Sequence, residues 1–268
     1  MKFTILGSSG FVGSHLTSYF SQLGISCYTP LRNDPSIFED DLGHLVYCIG
    51  LTADFRQQPF NTVKAHVCYL LNILENAHFE SLLYLSSTRV YLSSKTTNED
   101  RSLRVNPIDK DDLYNISKIM GESLCLSSNR PNIRVIRLSN VYGSDYKSTN
   151  FLTSIIQEAV INKKVVLRSS LESAKDYVSI DDVVALIPQI SIKGKCCVYN
   201  VASGINVSNQ ILLANLQELT GCKVEVLPNA KSIIFPEIDI SRICNEFNFH
   251  SASLLDNLEN LVDLYRQT

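Results

Sequence analysis

Four residues that read as a buried strand, Phe3-Thr4-Ile5-Leu6, run straight into Gly7-Ser8-Ser9-Gly10-Phe11-Val12-Gly13, and an apolar stretch of helical period follows from near Phe11. No other feature restricts the fold as much. Glycines at these spacings permit a tight turn, close approach of backbone N–H groups to a pyrophosphate, and close helix-to-strand contact. The helix N-terminus adds a favourable field for negative charge. In isolation the GxxGxxG is a weak pattern, and a plain glycine-rich turn is the alternative. Placed between one strand and one helix, it predicts a dinucleotide site made by Gly7, Ser9, Gly10, Phe11, Val12 and Gly13.

The rest of the first half repeats the alternation that such a unit requires. Short apolar runs at Cys27-Leu31, Leu45-Ile49, Leu82-Ser86 and Arg134-Leu138 are separated by amphipathic stretches at 62–77 and 114–126. Runs apolar on both alternating faces fit strands covered on two sides, so the expected class is α/β, a doubly wound parallel sheet of Rossmann type. Residues 93–112 turn polar and read as a surface excursion. From about Phe151 the pattern changes to scattered helices (152–160, 181–187, 208–219, 254–265) and short strands (165–167, 197–200, 223–226). The expected organisation is a dinucleotide-binding domain over 1–150, with a smaller C-terminal α/β substrate lobe over 151–268 interleaved with it as a single structural unit.

Composition narrows the function classes. With 268 residues and 45% apolar content the chain can bury a large core. Its formal charge of -3, with no long run of like charges, predicts neither a nucleic-acid nor a membrane-surface partner. Its apolar runs are far below the roughly 18 to 20 residues of a membrane-spanning helix. The start is too brief in apolar residues for a secretory signal, so the expected location is cytoplasmic. The eight cysteines are then expected to be reduced and mostly buried, and no His/Cys spacing suggests a metal site.

Three further segments carry chemistry. An NAD site of this kind places an acidic side chain roughly 20 residues beyond the glycines, on the ribose. Here the second strand ends Thr29-Pro30-Leu31-Arg32, and Arg32 could face a ribose 2′-phosphate, which favours NADP over NAD. The bland alternative is a solvated arginine starting a loop. Tyr114 and Lys118 stand four apart in an amphipathic stretch and share a helix face. An ammonium within about 4 to 6 Å of a phenol favours the phenolate, which makes tyrosine a usable acid and base. The strand Leu82-Leu85 ends in Ser86-Ser87-Thr88, hydroxyls at the carboxyl edge where open α/β sheets place ligands. Local bonding of those hydroxyls to the backbone is the alternative.

Together these residues resemble the extended short-chain dehydrogenase/reductase family, also called the NAD-dependent epimerase/dehydratase family, whose members mostly act on nucleotide-activated sugars. The resemblance covers the glycine motif, Ser86 to Tyr91, Tyr114/Lys118, Arg137 to Gly143, Lys175 to Val183 and Tyr199 to Gly204. It implies Ser87 as the hydroxyl polarising the reacting C–O group, Tyr114 as proton donor or acceptor, and Lys118 as the group that lowers the tyrosine pKa and holds the nicotinamide ribose. Ser87, Thr88, Asn140 and Lys175 would meet the sugar nucleotide, with Lys175 near the diphosphate. A surface ion pair between Lys175 and Asp176 is the bland alternative there.

The departures limit the reaction. Thr88-Arg89 stands where dehydratases carry Asp-Glu, and Arg89 where the GDP-sugar epimerase-reductases carry Cys. His66 replaces the usual Asn of the fourth helix and is expected to be structural. The expected activity is an NADPH-dependent keto-sugar reductase. An NAD-dependent 4-epimerase is the alternative, and reduction of a non-sugar carbonyl and a non-catalytic dinucleotide sensor or scaffold are weighed beside it. A homodimer is expected, with Val67, Leu70, Leu71, Leu74 and Met120 as candidate apolar contacts.

Overall fold

The computed structural model of the chain describes residues 1–52, 54–144 and 150–266. In the first half, β1 (Phe3–Leu6), α1 (Phe11–Gln22), β2 (Cys27–Tyr28), β3 (His44–Tyr47), α2 (Pro59–Val63), α3 (Tyr69–Asn76), β4 (Ser81–Ser87), α4 (Leu113–Ser127) and β5 (Ile133–Leu138) alternate as expected. There follow β6 (Asn140–Tyr142), α5 (Phe151–Gln157), β7 (Lys164–Ser169), β8 (Ala174–Ser179), α6 (Ile180–Lys193) and β9 (Val198–Val201). The chain continues through β10 (Asn206–Ser208), α7 (Asn209–Thr220), β11 (Lys223–Lys231), α8 (Ser241–Phe247) and α9 (Leu254–Arg266).

The main sheet has the order β2-β1-β3-β4-β5-β9, parallel throughout. Alternation along its strands divides the core in two. Ile5, Val46, Leu83 and Leu85 face one side, packed with Leu16 and Phe20 of α1 and Val183, Ile187 and Ile190 of α6. Leu45, Tyr47, Leu82 and Tyr84 face the other, against Leu70, Ile73 and Leu74 of α3 and Cys125 of α4. A third cluster joins α5, α7 and α9 around Leu167, Leu216 and Leu258, beside the short sheets β10-β8-β6 and β11-β7. The sheet therefore takes its edge strand β9, and the helix α6 covering one face, from beyond residue 151.

Several expectations need correction. The second strand stops at Tyr28, before Pro30, which has no N–H for a ladder. The stretch 62–77 is one helical run from 59 to 76, with a π-helical turn over Lys64–Cys68 inside it. The polar excursion is anchored: Thr97 and Glu99 are buried, and Glu99 accepts from the backbone N–H of Asn200 at 3.1 Å. Of the eight free cysteines only Cys125 and Cys222 are buried, and Cys68 and Cys197 are exposed. Among the candidate contact residues, Leu70 and Leu74 belong to the core, so only Leu71 and Met120 present open apolar surface, with Val67 half-covered. The short β6, β8, β10 and the helix α8 lacked a periodic signal strong enough to be read beforehand.

Candidate active site

Along the sheet, the chain steps from β1 outward to β2 and then back across to β3, so the crevice beyond their carboxyl ends is where an open α/β sheet receives a ligand. A cleft of about 650 Å³ lies there, extending past the ends of β4 and β5 to Lys175 of β8 and the segment around Phe235.

The glycine turn forms one wall. Gly7 has φ +87°, a conformation L side chains rarely adopt, and the Gly10 N–H donates to its carbonyl at 3.0 Å. A Cβ on Gly13 would lie 2.3 Å from that same carbonyl oxygen, so the helix can sit this close to the strand only with glycine there. Gly10 caps α1 without a side chain, no acidic residue occupies the first turn, and Gly10, Phe11 and Val12 line the cleft. Uncapped helix N–H groups facing a groove, over a turn too tight for any Cβ, are a cradle that suits a dinucleotide pyrophosphate. Ser9 is exposed beside the turn, and Arg32 is exposed on the loop after β2, outside the cleft lining.

The opposite wall brings Ser87, Tyr114 and Lys118 together in the cleft lining. Ser87 ends β4 and its Oγ accepts from the Arg89 N–H at 3.2 Å, capping a short turn over Thr88–Tyr91. The local backbone bonding considered from sequence is thus real, and it leaves the hydroxyl proton free to donate elsewhere. Tyr114 and Lys118 sit one turn apart on the buried face of α4. Burial raises the Tyr114 pKa, partly offset by the Thr52 and Ser87 side chains at its hydroxyl and then by the Arg89 charge. Lys118 Nζ donates to the Leu85 carbonyl at 2.8 Å, and burial lowers its pKa to about 8 against the pull of Glu122 and Cys48. An ammonium has three N–H groups, so this bond leaves two for other partners.

His66 braces this wall from behind. Its Nε2 accepts from the Leu51 N–H at 3.1 Å, so Nδ1 carries the proton and donates to Ser117 Oγ at 2.8 Å. Ser117 in turn donates to the Tyr114 carbonyl at 2.8 Å, and the two rings meet edge-on at 5.3 Å. Burial lowers the His66 pKa to about 2, so the ring is neutral. It is fully buried and aligns α4.

Thr88, Asn140 and Lys175 also line the cleft. Asn140 Nδ2 donates to the Asp176 carbonyl at 2.8 Å. Lys175 Nζ lies 4.4 Å from the Phe151 ring centre, its pKa lowered by burial and by Arg89. Asp176 faces elsewhere, accepting from Ser203 and Gly204, so among the described residues the two form no ion pair. Sequence reading gave no site role to Thr52, Phe55 or Arg56, nor to the stretch 235–238, because these lie in segments without periodicity. The described residues contain no cluster of His, Cys, Asp or Glu able to hold a metal, and no helix long and apolar enough to cross a membrane.

A dTDP-D-glucose 4,6-dehydratase of Dictyostelium discoideum is 24% identical over 78% of this chain. The chain spans 59% of that relative's length. A GDP-6-deoxy-D-mannose reductase of Pseudomonas aeruginosa is 24% identical, with 83% of this chain and 81% of the relative covered. Among solved structures, MoeE5 in complex with UDP-glucose and NAD has the same fold, with a TM-score of 0.84 at 19% identity over 100% of this chain and 99% of that one. The model of the NAD dependent epimerase/dehydratase family matches residues 3–202, through every strand of the main sheet, and the chain belongs to that family.

Proposed function

We propose that the chain is an NAD(P)-dependent oxidoreductase acting on a nucleotide-activated sugar, working as an NADPH-dependent keto-sugar reductase. The observation that carries this reading is the Tyr114 hydroxyl beside Ser87, facing the glycine turn across one cleft. When bound, the reduced nicotinamide supplies hydride from its C4 to the carbonyl carbon. Tyr114 donates its phenolic proton to the carbonyl oxygen as that carbon is reduced. Ser87, whose oxygen is already an acceptor for Arg89 N–H, turns its own proton toward the same oxygen and polarises it. Lys118 keeps its ammonium on the cleft floor, where its free N–H groups hold a ribose and its charge favours the departing proton's tyrosinate. Asn140 and Lys175 hold the nucleotide diphosphate end.

Thr88-Arg89, standing where dehydratases carry an acid pair, supports reduction over dehydration. Arg32, just past the position where an NAD site carries an acidic side chain, supports the NADP preference. A redox-neutral 4-epimerase would use the same three side chains, and it would hold NAD tightly through purification. Tyr114→Phe removes only the proton-carrying oxygen. It should cut turnover by about 10²- to 10⁴-fold while cofactor binding persists. A variant turning over at the parental rate would sink the mechanism.

A further inference from the structure

We propose that Arg89 is a specificity determinant of this site, selecting a nucleotide-linked sugar that bears a carboxylate next to the reacting carbon, a uronic acid rather than a neutral hexose. The inference rests on the nucleotide-sugar reading above and names the class of sugar.

Arg89 enters the cleft from the turn capped by Ser87, and its guanidinium carbon lies 5.5 Å from the Phe55 ring centre and 6.0 Å from that of Tyr114. It is therefore at the reacting end of the cleft, beside the group proposed to move the proton. Its Nε is buried with no acceptor among the described residues, and its Nη2 makes only a long bond of 3.4 Å to the Asp111 carbonyl.

The neighbouring carboxylates are committed or turned away. Arg56, which lies over the same Phe55 ring at 4.5 Å, holds the Asp111 carboxylate at 2.6 Å. Asp112 accepts from the Asn106 N–H and the Asn115 amide, both at 2.7 Å. Asp176 is taken by Ser203 and Gly204. Asp54 lines the cleft as an exposed, solvated side chain. Of the other cations lining the cleft, Lys118 is assigned to the ribose and Lys175 can answer the diphosphate as a compact charge. Arg89 remains, a planar fork next to the reacting carbon.

Guanidinium geometry matches a carboxylate in two parallel charge-assisted bonds. A neutral hydroxymethyl group would instead strip water from an unmatched cation as the cleft fills. The site as built favours the acid.

The test is calorimetric titration of the full chain, saturated with NADP or NAD, with matched sugar nucleotides: UDP-glucuronic acid against UDP-glucose, and GDP-mannuronic acid against GDP-mannose. In at least one pair the acid should bind about tenfold or more tightly. Arg89→Met should bring the pair to within about threefold by weakening the acid alone, and Arg89→Lys should fall between, since it keeps the charge without the fork. Cofactor titration of each variant checks that it is folded, and Arg89→Lys with the parent decides the matter if Arg89→Met is not. Equal binding of the neutral sugar by the parent overturns the proposal alone, as does an Arg89 variant that weakens both members equally. Cofactor binding without binding of any sugar nucleotide overturns the underlying reading and this one together.

Discussion

Arg137 and Arg89 come from adjacent parts of the main sheet, one inside β5 and the other just past the end of β4, and their surroundings differ in kind. Arg137 is 4% exposed and fully answered: its fork grips both Glu122 oxygens, at 2.6 to 3.2 Å, and it reaches the Tyr91 hydroxyl. Ser86 also donates to Glu122, and the Tyr91 hydroxyl donates a hydrogen bond to Asn200 Oδ1 at 2.9 Å. The Asn200 amide in turn donates to the carbonyls of Thr97 and Asp239, each at 2.8 Å. That network ties β4, α4, β5 and β9 to the anchored loop, and it is closed. Arg89 has no such partner and opens on the cleft. A buried cation whose hydrogen bonds are met within the protein belongs to the scaffold, and one left open is available to a ligand.

The sharpest way to break this contrast is to measure stability. Arg137→Met strands the buried Glu122 carboxylate and should cost about 3 to 5 kcal/mol in urea unfolding. Arg89→Met removes a cation the fold leaves unpaired, so the same measurement should change by less than about 1 kcal/mol in either direction. Equal losses would mean both arginines are scaffold.

His66 extends the comparison to a buried group kept neutral. Its folded pKa, about 2, is below the ordinary value of 6.5, so between those values the unfolded chain binds the extra proton. Its contribution is fully present above pH 6.5 and is lost as pH falls toward 2, at up to about 1.4 kcal/mol per pH unit. His66→Asn should flatten that part of the acid dependence relative to the parent. Superimposable profiles would show that the ring can take a proton without loss. The smallest effect is expected at Arg32, exposed on the loop after β2: Arg32→Ala should lower the preference for NADPH over NADH by about tenfold or less, near 1.4 kcal/mol, and an unchanged ratio would remove Arg32 from the cofactor site.

What was readable beforehand followed from repetition. The glycine turn, the two-sided apolar strands and the four-residue spacing of Tyr114 and Lys118 each restate a helical or pleated period, and the parallel sheet follows from them. The hydroxyls of Ser86, Ser87 and Thr88 were readable because they end a strand, and the family resemblance singled out Ser87 among them. The partners of Arg137 were not, since Glu122, Tyr91 and Asn200 come together only when β9 docks beside β5. Thr52 and Phe55 likewise reach Tyr114 from a loop without period. His66 was correctly expected to be structural, but the Leu51 and Ser117 bonds that define its tautomer depend on a tertiary approach across 15 and 51 positions of sequence.

The docking of β9 also sets an order on assembly. Its ladder with β5 pairs Val135 with Val198 and Leu138 with Val201, so the cofactor half cannot close its edge until the chain has been made beyond residue 201. Until then β5 presents an unpaired row of backbone groups to other chains, and Arg137 lacks part of its network. Closure over such a separation is slow, so nascent protein halted before residue 198 should be recruited by chaperones, and a version cut at the seam near residue 150 should aggregate rather than bind cofactor.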